Sequence, residues 1–168
     1  MTELDQVWSE MLDKATAKAL QSGRSDIAEY LRLKAANDTI RRIGVEWLVN
    51  TLLELAADAN RDHPALIVER EEPHNFADGN SNMVGSLLRI SHGVRCLTVE
   101  AGWTRTPSDG IMRAQALAFA RFTHFGLPEN RVELRLLQSD TSPNWIASTG
   151  EVVDSGVLRR HFDVLLHK

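Results

Sequence analysis

The apolar residues of this chain change period from helical to extended near His63-Pro64, and that change points to the fold class. Before it they recur at three- and four-residue intervals: Leu4, Val7, Trp8, Met11, Leu12, Ala15, Ala19 and Leu20, then Ile27, Tyr30, Leu31, Ile40, Ile43, Trp47, Leu48, Leu52 and Leu55. Such spacing lays an apolar stripe along one face of a helix. After it, ALIVERE, VGSLLRIS and VRCLTVEA are short apolar runs of strand length. The expectation is an α+β fold in a single domain, with N-terminal helices over residues 1–62 and a sheet part over residues 63–168.

Caps and breakers divide these parts further. Thr2 with Asp5 makes a capping-box pattern, Gly23 ends the first helix, and Ser25 begins a second helical stretch. Asn and Asp are mediocre inside helices and good at their starts, so Asn37-Asp38 fits either one long helix or two. In the sheet part the polar stretch EPHNFADGNSN reads as a long loop, and His92-Gly93 as the tight connector of an antiparallel hairpin, giving a three-stranded meander. Ser108-Asp109 then reads as the cap of a helix over 109–125, striped by Ile111, Ala114, Ala118, Phe122 and Phe125 and closed by Gly126. RVELRLL is a further strand, NWIAS a second short one, and Ser155 to His167 a closing helix.

A chain of 168 residues with 43% apolar and 25% charged content can bury a proper core. No apolar run reaches the length of a membrane span, and the N-terminus MTELDQVWSEM is acidic and amphipathic. The expectation is a cytoplasmic protein without a membrane partner. Cys96, the single cysteine, cannot form an internal disulfide and reads as a small buried apolar group. The net charge of −4 hides a local excess, since residues 84–137 carry seven arginines against four acids. Arginine suits planar recognition of carboxylate or phosphate. A local balance of this size is too small for a strong nucleic-acid signal. Arg131 and Arg135 alternate with apolar residues in RVELRLL, the pattern of a solvated sheet face.

The densest chemistry lies in LTVEAGWTRTPSDGIMRAQALAFARFTHFG, residues 97–126. Glu100 and Asp109 are its acids, candidates for catalysis as general base or metal ligand. Arg105 and Arg113 are candidate anion holders, and Trp103 is a stacking or wall residue. His74 and Asp78 would close the site from the polar loop, His74 being able to act as acid, base or ligand. The bland alternative is a buried ion-pair network pinning strand to helix, in which Arg113 reaches Asp109 at the i, i+4 spacing. HExxH, Cys/His-cluster, Walker, GxGxxG and GxSxG patterns are all missing, so no cofactor and no metal ligand set is expected.

The order helix, strand, strand, strand, helix, strand over about residues 37–137 resembles the core of the PD-(D/E)XK nuclease superfamily. In that layout Glu100 stands where the family's Glu would, and Gln115 and Phe119 match its helix motif. The resemblance implies metal-dependent hydrolysis. The chain departs from it at Gly85-Ser86-Leu87-Leu88, which offers no Asp, and at Gly102, which stands in place of the Lys. With a further strand and helix the order is also similar to that of type III secretion chaperones, small dimeric binding proteins. The reading is therefore a non-catalytic binding or interaction module, taking a protein partner or a small anionic ligand and compatible with a homo-oligomer. The alternative is a divergent PD-(D/E)XK-like metal-dependent nuclease or phosphodiesterase.

Overall fold

The structure, a computed structural model, describes residues 2–62 and 64–167, so His63 of the expected boundary lies outside it. Among the described residues are three α-helices and six strands: α1 (Glu3–Gln21), α2 (Ser25–Asp62), β1 (Leu66–Asp78), β2 (Ser81–His92), β3 (Arg95–Trp103), β4 (Ala118–His124), β5 (Val132–Leu137), β6 (Asn144–Ala147) and α3 (Ser155–Leu166). The α+β class and the helical ends agree with the sequence pattern. Two compact units divide the chain, Met1–Ile43 and Gly44–Lys168, and their boundary falls inside α2 rather than at residue 62.

The first unit is a helical hairpin. Its α1 opens on the expected capping box, in which Asp5 N donates to Thr2 Oγ1 and Thr2 N to Asp5 Oδ2. Asn37-Asp38 does not interrupt α2. Asp38 accepts from the Trp8 indole at 2.8 Å and from Arg41 at 2.7 Å, so its side chain is occupied across the hairpin and its backbone stays helical. Leu12, Ala19 and Ala28 are buried, while Tyr30, Leu33 and Ile43 remain exposed.

In the second unit the six strands form one antiparallel sheet in chain order, β1-β2-β3-β4-β5-β6. Its apolar face presents Leu88, Ile90, Leu97, Val99, Phe122, Leu134, Leu136 and Trp145, all buried. Helix α3 covers part of this face with Leu158, Phe162 and Leu165. The C-terminal half of α2 covers another part, with Leu48, Val49, Leu52 and Ala56 buried. The Trp145 indole donates to Gly44 O at 3.0 Å, and a Cβ on Gly44 would sit 2.6 Å from the Leu136 side chain. Glycine lets helix and sheet approach closely here.

Two elements differ from the sequence expectation. The polar stretch 72–82 is a hairpin rather than a loop: His74, Phe76 and Asp78 alternate with Asn75 and Ala77, and β1 turns into β2 through Gly79, at φ +57. Asp-Gly is a hairpin signal, and the stretch continues the strand despite its polarity. The pairing shifts register between Glu71 and His74, where Pro73 supplies no ladder N–H.

The helix expected over 109–125 is not formed. Two short 3-10 turns, Pro107–Asp109 and Arg113–Gln115, lead into β4. ALAFARFTH carries both periods: Ala118 and Phe122 fit a helix, but Ala118, Ala120 and Phe122 equally fit one face of a strand. The strand wins because β3 and β5 each offer an open edge, and β4 pairs with both. The helix that the nuclease-like and chaperone-like layouts place between their third and fourth strands is therefore a strand here.

Candidate functional site

The second face of the sheet carries the polar chemistry. Across it the register aligns Leu87, Glu100, Arg121 and Glu133, and in the next row His74, Gly85, Gly102, Phe119 and Arg135. The Gly85–Gly102 pair puts no side chain between His74 and Phe119. A Cβ on Gly85 would lie 1.8 Å from Ala101 O, and one on Gly102 would lie 2.5 Å from Val84 O, so two backbones meet there at a distance only glycine allows.

Through that gap His74 reaches Glu100. His74 Nε2 lies 2.9 Å from Glu100 Oε1, and Arg121 donates to Glu100 Oε2 from Nη2 at 2.6 Å and from Nε at 3.1 Å. His74 Nδ1 also lies 3.6 Å from Glu71 Oε1. Phe76 floors the group: the His74 ring stacks on it at 5.8 Å, and the Arg121 guanidinium stands 6.0 Å from its centroid. Burial pushes the Glu100 carboxyl up. The hydrogen bonds from His74 and Arg121, with the charges of both, outweigh burial and hold it below the usual carboxylate value. Glu100 is thus an ionised acceptor whose two oxygens are both in use, tying β1, β3 and β4 together.

Asp109 is committed differently. Its Oδ2 accepts from Thr106 N at 2.9 Å, Thr106 Oγ1 at 3.0 Å and Arg105 N at 3.2 Å. It caps the first 3-10 turn, and these bonds, led by the Thr106 backbone, lower its pKa. The expected pair between Arg113 and Asp109 is not made, because no helix places them one turn apart. Arg113 instead faces Asp78, Nε to Oδ2 at 3.9 Å, with 62% of its side chain exposed. Trp103 is buried on the apolar face, where Arg105 stacks on its ring at 3.9 Å and donates from Nη2 to Val84 O at 3.2 Å. Arg105 therefore pins the loop to the sheet.

Beyond Arg105 the loop of residues 104–117 folds over the polar face. Met112 packs on a small core of Phe76, Met83 and Phe119. Ser81 Oγ donates to Ile111 O at 2.9 Å, and Leu117 N donates to Leu136 O at 2.8 Å. Between loop and sheet lies a small open recess, walled by Asp78, Arg113 and Arg135 and floored by Met83, Met112 and Phe119. Arg135 is half-buried, and its guanidinium makes no hydrogen bond or ion pair among the described residues. Ile111 on the rim is 85% exposed.

Of the residues singled out in the sequence, the structure joins His74 to Glu100 and Asp78 to Arg113, as two separate groups. It assigns Asp109 and Arg105 to the loop's own architecture. Arg121, Arg135 and Met112 were not legible as site residues. The signal for the two arginines is the all-arginine charge excess of residues 84–137, which the helical reading of 109–125 and the solvated-face reading of RVELRLL disperse; Met112 has none. Among the described residues no three His, Cys, Asp or Glu side chains gather as a metal-binding group, and no described helix is long and apolar enough to cross a membrane. Compared with family models, curated proteins and solved structures, the chain matches none.

Proposed function

We propose that the chain is a non-catalytic binding module whose ligand or partner docks on the loop of residues 104–117 and the recess beneath it. Arg135 carries this reading. Its guanidinium has no acceptor from the described residues, and its neighbour Arg113 has only a long contact to Asp78, so both are open to an acceptor brought from outside. The groups suited to acid, base or metal chemistry are meanwhile engaged inside the protein, Glu100 by His74 and Arg121 and Asp109 by its turn. The exposed Ile111 supports an apolar contact on the same rim, of the kind a protein partner would also use.

The test is amide exchange of the full chain titrated against a panel of small anions, their neutral analogues and acidic peptides. Protection is expected in residues 104–117 for at least one anionic class, and its loss in the double variant Arg113→Glu with Arg135→Glu. Protection that ignores these arginines would sink the reading. Mg²⁺-dependent cleavage of a phosphodiester, abolished by Glu100→Gln, would replace it with the metal-dependent nuclease.

A further inference from the structure

Building on that binding reading, we infer that the recess takes a monocarboxylate bearing a short apolar tail, the carboxylate on Arg135 and the tail on Met83, Met112 and Phe119. Three features of the recess set this chemistry. A guanidinium offers two parallel donors to a planar two-oxygen acceptor, and Arg135 has both free of any described partner. The charged wall consists of two arginines and Asp78, a net charge of one, which a single carboxylate neutralises. The remaining lining is apolar, chiefly Met83, Met112 and Phe119, apart from Ser81, whose hydroxyl already donates to Ile111 O, so it offers a tail burial.

The recess as it stands is small, so the carboxylate sits at its mouth against Arg135, and the tail enters where Met112 now lies. Met112 is the side chain suited to give way, being unbranched and only partly buried against the Phe76–Met83–Phe119 core. Its loop is also held in an unfavourable backbone state. Ala114 and Gln115 stand in succession at φ 52 and φ 56, where side-chain-bearing residues are disfavoured. A shift of Met112 that lets these two residues relax lowers the cost of opening. The carboxylate then holds the ligand while the loop closes over its tail.

The test uses the full chain with ¹³C-methyl methionine, titrated with sodium hexanoate, 1-hexanol or inorganic phosphate, with Met83 and Met112 assigned by substitution. Hexanoate is expected to shift both methyls saturably, with hexanol binding at least about tenfold more weakly and phosphate leaving the methyls in place. Arg135→Gln should weaken hexanoate about tenfold, the loss of one charge-assisted pair, and Arg113→Gln about threefold. If Arg135→Gln fails to fold, Arg113→Gln and Arg135→Lys carry the comparison, Lys keeping the charge and losing the planar fork. Hexanol binding as well as hexanoate, phosphate saturating the same methyls, or hexanoate binding indifferent to both arginines would each overturn the inference. Silence of both methyls to all three probes, with loop protection by an acidic peptide, overturns the carboxylate ligand and leaves the binding module standing. Silence of the loop to every class removes both.

Discussion

Glu100 accepts from His74 and from Arg121, so removing its carboxylate strands two donors on a half-covered sheet face. Truncating one member of a fully buried pair costs about 3–5 kcal/mol, and here 18% of each of the Glu100 and Arg121 side chains is still exposed. Glu100→Ala is therefore expected to cost about 2 kcal/mol in denaturant unfolding, and a change near zero would show that the network does not brace the sheet. The pH dependence follows from the same contacts. Because the folded carboxyl lies below its ordinary value of 4.5, its contribution is complete above that value and fades as pH falls through the folded one. The two arginines of the loop separate in the same assay. Arg105→Ala loses the Trp103 stack and the Val84 bond and should cost about 1–2 kcal/mol, whereas Arg113→Ala, largely exposed, should stay within about 0.5 kcal/mol. Equal costs would place Arg113 in the scaffold as well.

At the scale of elements the strand pair β2–β3 depends on two facing glycines. A methyl on Gly85 would overlap the Ala101 carbonyl, a backbone atom that cannot rotate away, so the strands must part to admit it. Gly85→Ala is expected to cost about 3 kcal/mol, the upper end of ordinary overpacking. It should also disturb the His74–Glu100 contact that crosses this pair, visible as a changed His74 ring resonance. Stability within error of the wild type would mean that the strands are not so closely apposed. By contrast Gly93→Ala meets no atom within 4 Å, and its cost is confined to the left-handed φ of +60 in the β2–β3 turn, about 1 kcal/mol.

At the scale of the molecule, a largely covered contact between the closing helix and the sheet responds to pH. His124 on β4 and His161 on α3 stack at 5.6 Å, with Nε2 and Nδ1 3.3 Å apart, and His161 also packs against Phe122. Burial lowers both pKa values. For His161 the nearby His124 and Arg160 add to burial, Glu151 opposes it only in part, and the value falls to about 4. A neutral imidazole is favoured in the folded state, while the unfolded chain takes up a proton near the ordinary value of 6.5. Between these pH values the unfolded state binds more protons, so stability is complete above 6.5 and declines towards 4. The melting temperature should fall by several degrees from pH 7 to pH 5, and His161→Phe should flatten that decline. A profile unchanged by the substitution would assign the acid sensitivity to other groups.

Local signals alone determine the helical ends of this protein and one of its hairpins. The Thr2–Asp5 box, the turn at Gly23, the His92-Gly93 hairpin and the closing amphipathic helix each rest on neighbours within a few residues, so chain-local chemistry specifies them. The long polar stretch 72–82 reads as a loop by its composition, although its alternation and Asp-Gly turn are those of a hairpin. For 109–125 the sequence supports two periods, and only the open ladders of β3 and β5, distant in sequence, select the strand. The site followed the same division. Glu100, His74, Asp78 and Arg113 were legible as chemistry. Which of them meet, and that Arg135 rather than Asp109 walls the recess, depended on register across five strands, and register is a property of the assembled sheet.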